Sequence, residues 1–224
     1  MADTGGKLVL YIGEKNVSSW SMRGWLALHH KGLPFEERTI SLVQDESRAR
    51  RREVSPTGKV PVLHHERPSG RLVIPDSLAI IEYLEESFPA PARPALWPAD
   101  PARRARARWL AAAMHSGFSK LRESMSFNLC FLPSPPAPSP EALAEAAEVL
   151  RLWEDALHEG GPWLCGDFSA ADILFAPVVV RLTAFQVPAA STPRAAAWMK
   201  GMLEHPLVRR WMDPARALQP VERH

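Results

Sequence analysis

A proline-rich segment, residues 88–101, divides this 224-residue sequence into two parts with different periodicities. It contains five prolines, and proline disrupts helices because it lacks an amide hydrogen and clashes with the preceding turn. Before this segment, short apolar runs alternate with helical patterns. After it, strand patterns are absent. We therefore predict two domains, residues 1–87 and 102–224, joined by a linker over residues 88–101.

The first part predicts a mixed sheet with helices packed on it. Short runs rich in β-formers predict strands over residues 8–12, 35–42, 60–63 and 72–74. Apolar residues at helical spacing, together with a charged segment at 45–54, predict helices over residues 21–31, 45–54 and 76–87. Gly32 is well placed to end the first helix. The order β-α-β-α-β-β-α is that of a thioredoxin-like domain.

The second part predicts an all-helical domain. Apolar residues recur along one helical face between residues 102 and 131, at Leu110, Met114, Phe118, Leu121 and Met125. A second helix is predicted over 141–159, with Leu143, Leu150 and Trp153 on its apolar face, and further helices over 170–185 and 194–203. The predicted fold is an α/β thioredoxin-like domain followed by an all-α domain.

Composition and charge argue against several classes of protein. Of all residues, 46% are hydrophobic and 23% are charged, so disorder throughout the chain is not expected. The net charge of +2 gives no reason to expect nucleic-acid binding, and the basic run at 48–52 fits a solvated helix face. No run of about 20 apolar residues predicts a membrane span, and the N-terminus lacks the pattern of a signal peptide.

Cysteine and histidine usage adds two further expectations. The two cysteines, Cys130 and Cys165, are too few for a disulfide framework, which favours a reducing, cytoplasmic location. The adjacent histidine pairs, at 29–30 and 64–65, would point their side chains apart, and the sequence suggests no third ligand. We therefore predict no metal site.

The first candidate site is the serine cluster Ser18-Ser19-Trp20-Ser21, between the first strand and the first helix. Free backbone N–H groups and the positive end of the helix dipole meet at such a position, which favours bound anions. Serines also commonly cap helices, and capping alone explains part of this cluster. Three serines within four residues exceed what one cap requires. No glycine-rich phosphate loop accompanies them, so a nucleotide is disfavoured.

Two further segments could hold a ligand beside this cluster. If the Val60-Pro61 bond is cis, Val60 can offer its backbone N–H and C=O to a peptide-like ligand; the sequence leaves the isomer open, and trans is the default. Asp76-Ser77 begins a predicted helix. This pair fits two interpretations equally well: an N-cap of the helix, or a binding site for a ligand carboxylate.

These three segments, in this order on this topology, resemble the glutathione transferase superfamily over nearly the whole chain. The serine pattern is similar to serine-type classes, particularly zeta and related bacterial forms. The resemblance implies that glutathione is the co-substrate and that Ser18, or failing that Ser19, activates its thiol. Lys59, Val60, Pro61, Asp76 and Ser77 would bind glutathione, and Ser169 and Asp172 would form a structural helix cap.

The resemblance also implies an activity and an assembly. The expected activity is conjugation of glutathione to small hydrophobic electrophiles, as in detoxification, by a cytoplasmic homodimer. The electrophile pocket would include Trp20, Met114, His115 and Phe118. Zeta-class maleylacetoacetate isomerases carry cysteine where this chain has Trp20, which puts isomerisation in doubt. The alternatives are a glutathione-dependent isomerase or peroxidase, or a non-catalytic protein of this fold that binds ligands or partners.

Overall fold

The computed structural model describes residues 5–44, 47–159 and 161–219. These residues fall into two compact units, one ending at Leu96 and the other beginning at Trp97. The described part of the first unit contains four strands and three helices. Its elements are β1 (Lys7–Ile12), α1 (Ser19–His30), β2 (Glu36–Thr39), α2 (Ser47–Val54), β3 (Val62–Arg67), β4 (Gly70–Pro75) and α3 (Ser77–Ser87).

The four strands form one mixed sheet in the order β2-β1-β3-β4. β2 runs parallel to β1, with Leu10 opposite Glu37, whereas β3 runs antiparallel to both β1 and β4. The central β1 is apolar because it lies in the core of this unit, where Leu10 and Ile12 are fully buried. The predicted β-α-β-α-β-β-α order is confirmed. Predicted strand bounds differ by a few residues, and residues 45–46 of the predicted second helix lie outside the described residues.

Helix α1 ends where the sequence indicates. Its C-cap is Lys31, and Gly32 adopts a left-handed φ of 61°. This conformation turns the chain so that the N–H of Leu33 donates to the carbonyl of Leu28, which closes the helix end.

In the described residues of the second unit, helices are joined by loops and there is no strand; the β-pairing there is an isolated bridge between Trp163 and Gly166. Its centre is α7 (Ala170–Ala184), in which every residue from Ala170 to Leu182 is buried. Short 3₁₀ turns at Phe127–Phe131 and Leu157–Glu159 interrupt the helices. The helices are α4 (Pro101–Ser116), α5 (Ser119–Ser124), α6 (Pro140–Ala156), α7 (Ala170–Ala184), α8 (Pro193–Glu204) and α9 (Pro206–Arg216).

The prediction of one helix from residue 102 to residue 131 is wrong. α4 ends at Ser116, and Phe118 has a left-handed backbone with φ 56° and ψ 42° before α5 begins. The five apolar residues that suggested one helix are nevertheless all buried. The apolar spacing therefore correctly identified core positions on both sides of a break that it could not reveal.

Two further differences concern α6 and the C-terminus. The buried face of α6 includes Ala142, Val149 and Trp153, whereas Leu143, predicted on that face, is 41% exposed. α9 was not predicted, although Val208 and Trp211 follow a helical spacing and are fully buried. Among the described residues, no helix is long and apolar enough to cross a membrane.

Candidate active site

Ser18 is the N-cap residue of α1. Its hydroxyl oxygen accepts a hydrogen bond from the backbone N–H of Ser21, at 3.3 Å. Its own backbone N–H donates to the carbonyl of Glu14, at 2.9 Å, which completes the turn that follows β1. Ser18 is therefore held at the N-terminus of α1, where unpaired N–H groups and the helix dipole favour a bound anion.

A second hydroxyl lies directly beside that of Ser18. The oxygens of Ser18 and Ser21 are 2.7 Å apart, a normal hydrogen-bond distance between hydroxyls. The backbone N–H of Gly13 donates to the Ser21 oxygen, at 3.1 Å. Ser18 is only 5% exposed and Ser21 is fully buried, so the two side chains are fixed by packing as well as by hydrogen bonds.

Gly13 occupies a position where the chain comes close to its neighbours. A Cβ atom at residue 13 would lie 2.4 Å from Cδ1 of Leu42 and 3.0 Å from Cβ of Ser18. Glycine therefore allows the close approach that brings its N–H to the serine pair. Gly13 directly follows the first predicted strand, and no motif in the sequence indicates its contact with the serines.

The neighbouring residues of the cluster have different surroundings. Ser19 is the first residue of α1 and is 4% exposed. Trp20 is half-buried, and the guanidinium of the fully buried Arg23 lies over its ring, 4.1 Å from the centroid. That stacking orients the indole of Trp20 at the start of the helix.

The Val60-Pro61 peptide bond is cis. Pro61 packs against α1 at Gly24, where a Cβ atom would lie 3.4 Å from the proline ring. Val60 precedes β3, and the pairing of β3 with β1 begins only at Val62. Lys59 is exposed, and its backbone N–H donates to the Thr57 hydroxyl, at 3.3 Å.

Asp76 is the N-cap residue of α3, with a left-handed φ of 79°. Its carboxylate accepts from the N–H groups of Leu78, at 2.7 Å, and Ala79, at 3.2 Å, and its own N–H donates to the carbonyl of Pro61, at 3.3 Å. Ser77 is fully buried, and its hydroxyl has no hydrogen-bond partner among the described residues. A buried hydroxyl without a partner is unusual, so it marks a position to which a ligand could bond.

The sheet brings these three segments to the same end of its strands. Tyr11 lies opposite Val62, and Val62 lies opposite Pro75, so β1, β3 and β4 meet in one row. The serine cluster follows β1, the cis proline precedes β3, and the start of α3 follows β4. Residues that are far apart in sequence therefore surround one end of the sheet.

The predicted residues of the helical unit have distinct environments. Met114 is fully buried, His115 is half-buried and Phe118 is 8% exposed. Cys130 is a free thiol, and burial raises its pKa to about 12, which disfavours the reactive thiolate. Within the described ranges, no group of three or more His, Cys, Asp or Glu residues could hold a metal ion.

Asp172 forms the predicted capping box at the start of α7. One carboxylate oxygen accepts from the backbone N–H and the hydroxyl of Ser169, at 3.0 and 3.1 Å. The other accepts from the N–H of Leu164 and from Nε1 of Trp198, both at 3.0 Å. Complete burial raises the pKa of this carboxyl to about 6, although the four hydrogen bonds favour its charged form.

Comparison with known proteins assigns both parts of the chain. Residues 17–87 match the family model of the glutathione S-transferase N-terminal domain, and residues 101–213 match that of the C-terminal domain. The chain belongs to the glutathione S-transferase family. The predicted family is thereby confirmed, as is the thioredoxin-like and all-helical fold class.

Individual members of the glutathione S-transferase family resemble the chain over most of its length. Glutathione S-transferase 1 of Dianthus caryophyllus is 32% identical over 195 residues, covering 84% of this chain and 83% of that protein. A probable maleylacetoacetate isomerase of Caenorhabditis elegans is 31% identical over 189 residues, covering 84% of each. A glutathione transferase homolog from Burkholderia, solved with bound glutathione, has a TM-score of 0.70 and 32% identity, over 96% of this chain and all of that one.

Proposed function

We propose that this glutathione S-transferase uses the hydroxyl of Ser18 to hold the sulfur of glutathione as a thiolate for attack on small hydrophobic electrophiles. The enzyme is a glutathione S-transferase and glutathione is its co-substrate. The observation that carries the assignment of Ser18 is its position. It is the N-cap of α1, at the end of the sheet where the cis proline and the start of α3 also lie.

A serine hydroxyl suffices for this task. A free thiol with a pKa of ~8.5 is roughly 3% ionised at pH 7. Lowering that pKa by about two units makes roughly three-quarters of it thiolate, which requires ~2.7 kcal/mol of preferential stabilisation of the anion. A hydrogen bond to a charged group contributes ~1.5–3 kcal/mol and the helix dipole ~0.3–1 kcal/mol. Together they cover the requirement.

The residues proposed to bind glutathione lie at this same end of the sheet. The backbone of Val60, beside Pro61, would pair with the cysteinyl backbone of glutathione. Ser77 would donate its hydroxyl to the γ-glutamyl carboxylate, which supplies the missing partner of that buried group. Asp76 would meet the γ-glutamyl amino group, and the exposed Lys59 a carboxylate of glutathione. Opposite charges at these positions fit the charges of the tripeptide.

The chemistry then has a simple balance. Bound glutathione releases its thiol proton to water, and the Ser18 hydroxyl donates a hydrogen bond to the remaining thiolate. The sulfur electron pair forms a bond to an electrophilic carbon. A leaving group departs with its bonding pair, or an activated double bond takes up the pair and is protonated by water. Ser18 stabilises the anion and forms no covalent bond.

The remaining assignments rest on the resemblance to the family. We assign residues 1–87 to glutathione binding, 88–101 to a linker and 102–224 to the helical domain. The roles of Trp20, His115 and Phe118 in contacting the electrophile stay predictions from the resemblance, as does that of Met114, which is fully buried. We also propose a cytoplasmic homodimer; the two free cysteines, Cys130 and Cys165, fit a reducing location. Sedimentation analysis tests the dimer, and a monomer at micromolar concentration would contradict it.

The test of Ser18 compares three single variants. Ser18→Ala is expected to raise the pKa of bound glutathione, read from thiolate absorbance, and to lower turnover of a chromogenic aryl halide ten-fold or more. Ser139→Ala is the matched control, because Ser139 caps α6 through an equivalent bond to the N–H of Ala142, at 3.2 Å. Each of these two variants loses a cap of ~1 kcal/mol, but only the first loses thiol activation. If Ser18→Ala stays active while Ser19→Ala is inactive, Ser19 is the activating residue.

A second candidate function is glutathione-dependent isomerisation. The similarity to the probable maleylacetoacetate isomerase of Caenorhabditis elegans favours it. Trp20 argues against it, because the zeta-class enzymes carry cysteine at this position. An assay of maleylacetoacetate isomerisation beside aryl-halide conjugation separates the two. Isomerisation that exceeds conjugation in kcat/KM would make the isomerase the main activity, and neither activity with intact glutathione binding would indicate a binding protein.

A further inference from the structure

We propose that Ser21 is a positioning residue that directs the proton of the Ser18 hydroxyl toward the sulfur of glutathione. This inference rests on the proposed role of Ser18. Ser21 is fully buried in the first turn of α1, so it acts through its neighbour and not by contact with the sulfur.

Three hydrogen bonds define the arrangement. Gly13 N–H donates to the Ser21 oxygen, at 3.1 Å, and Ser21 N–H donates to the Ser18 oxygen, at 3.3 Å. The third joins the two hydroxyl oxygens, at 2.7 Å, and either oxygen could be its donor. The position of one proton therefore decides what Ser18 presents to a ligand.

The thiolate selects one of these two directions. A hydroxyl has one proton and two acceptor positions. When Ser21 donates to Ser18, both acceptor positions of Ser18 are filled, by the N–H and the O–H of Ser21, and its proton is available for the sulfur. When Ser18 donates to Ser21 instead, it turns only lone pairs toward the anion, which is repulsive. A bound thiolate therefore favours the first direction.

The surroundings of Ser21 reinforce that direction. The first direction forms a chain in which Gly13 N–H, Ser21 O–H and Ser18 O–H each donate to the next group and finally to the sulfur. In a buried site, each hydrogen bond of such a chain polarises the following one. Removal of the Ser21 hydroxyl breaks the chain in the middle and lets the Ser18 hydroxyl rotate, although the backbone cap from Ser21 N–H to Ser18 remains.

The test is the pKa of bound glutathione in Ser21→Ala, measured by titration of thiolate absorbance. We expect a rise of about half to one pKa unit, equal to a roughly 3- to 10-fold lower thiolate-to-thiol ratio at any given pH. The acid limb of kcat/KM for the electrophile, measured at saturating glutathione, should move by the same amount. The affinity for glutathione at about pH 5, where the protonated thiol is bound, should change less than two-fold. Ser21→Cys keeps the side-chain size but has a weaker donor, so it should shift the pKa in the same direction. An unchanged pKa in both variants would overturn the inference.

A double-mutant cycle separates positioning from a structural effect. If Ser21 acts through Ser18, Ser21→Ala should cause no further pKa shift in the Ser18→Ala background, whereas additive shifts would contradict the inference. The same cycle distinguishes the two proposals. A normal pKa in Ser18→Ala would overturn the role of Ser18 and with it that of Ser21. A raised pKa in Ser18→Ala beside a normal pKa in Ser21→Ala and Ser21→Cys would overturn only the role of Ser21.

Discussion

Replacing Asp172 by alanine should destabilise the helical unit more than most single substitutions would. The change removes the acceptor of three N–H groups, those of Ser169, Leu164 and Trp198, and all three residues are at most 3% exposed. An unsatisfied buried donor costs ~1–3 kcal/mol. Some of these donors will bond to water that enters the space. We therefore expect the free energy of unfolding at pH 7 to fall by roughly 3–5 kcal/mol, out of the 5–15 kcal/mol typical of folded domains.

The pH dependence of the same variant provides an independent check. Burial raises the pKa of Asp172 from 3.8 to about 6, so between these values the folded state binds more protons than the unfolded state. This contribution to stability is complete below about pH 4 and is lost as the pH rises to about 6; it amounts to roughly 3 kcal/mol. The difference between wild type and Asp172→Ala should therefore be larger at pH 4.5 than at pH 7.

Urea unfolding monitored by tryptophan fluorescence measures both effects. Asp167→Ala is the control, because Asp167 is an exposed carboxylate five residues earlier, and it should change the free energy of unfolding by less than about 0.5 kcal/mol. A loss below about 1 kcal/mol in Asp172→Ala would refute the view that this carboxylate satisfies otherwise isolated donors. A difference between wild type and variant that grows with pH would refute the sign of the pKa shift.

Two further substitutions test residues at the end of the sheet where we propose that glutathione binds. Ser77→Ala should raise the KM for glutathione about 10-fold or more, since a hydrogen bond to a carboxylate contributes ~1.5–3 kcal/mol, and should leave kcat nearly unchanged; an unchanged KM would contradict the assignment. Gly13→Ala places a Cβ atom 2.4 Å from Leu42 and 3.0 Å from Ser18, and should lower stability by ~1–3 kcal/mol. The control is Gly201→Ala, inside α8, where the added Cβ atom has no neighbour within 4 Å. It should stabilise the folded protein by up to ~1 kcal/mol, because alanine favours a helix over glycine. Thermal unfolding measures both variants.

The fold could be predicted from the sequence wherever one local pattern dominates. The apolar β1 and the end of α1 just before Gly32 follow directly from strand propensity and C-cap geometry. The break between α4 and α5 could not be predicted, because apolar residues continue at helical spacing across it. Its visible cause is a left-handed backbone at Phe118, a conformation that side chains other than glycine rarely adopt. Helix α9, which was not predicted, contains Pro214, and proline has the lowest helix propensity of all residues.

The three segments of the candidate site could be predicted from the sequence, but the contacts between them could not. Serine, proline and aspartate at the ends of predicted strands and helices identified the three segments that the sheet places at one edge. The isomer of Val60-Pro61 stayed open because both isomers are accessible to an X-Pro bond. The hydrogen bond from Gly13 to Ser21 depends on the close approach of two loop segments, for which the sequence contains no periodic signal.

The structure also changes how the two interpretations of Ser18 relate to each other. Helix capping and thiol activation were alternatives while only the sequence was considered. Capping uses an acceptor position of the hydroxyl oxygen, which receives the N–H of Ser21. Thiol activation would use the proton of the same hydroxyl, because a thiolate can only accept. One side chain can therefore perform both tasks at once, and the cap would hold the oxygen in the place from which its proton reaches the sulfur. Loss of the cap alone, as in Ser139→Ala, should then leave the pKa of bound glutathione unchanged, whereas loss of Ser18 should lower stability and raise that pKa together.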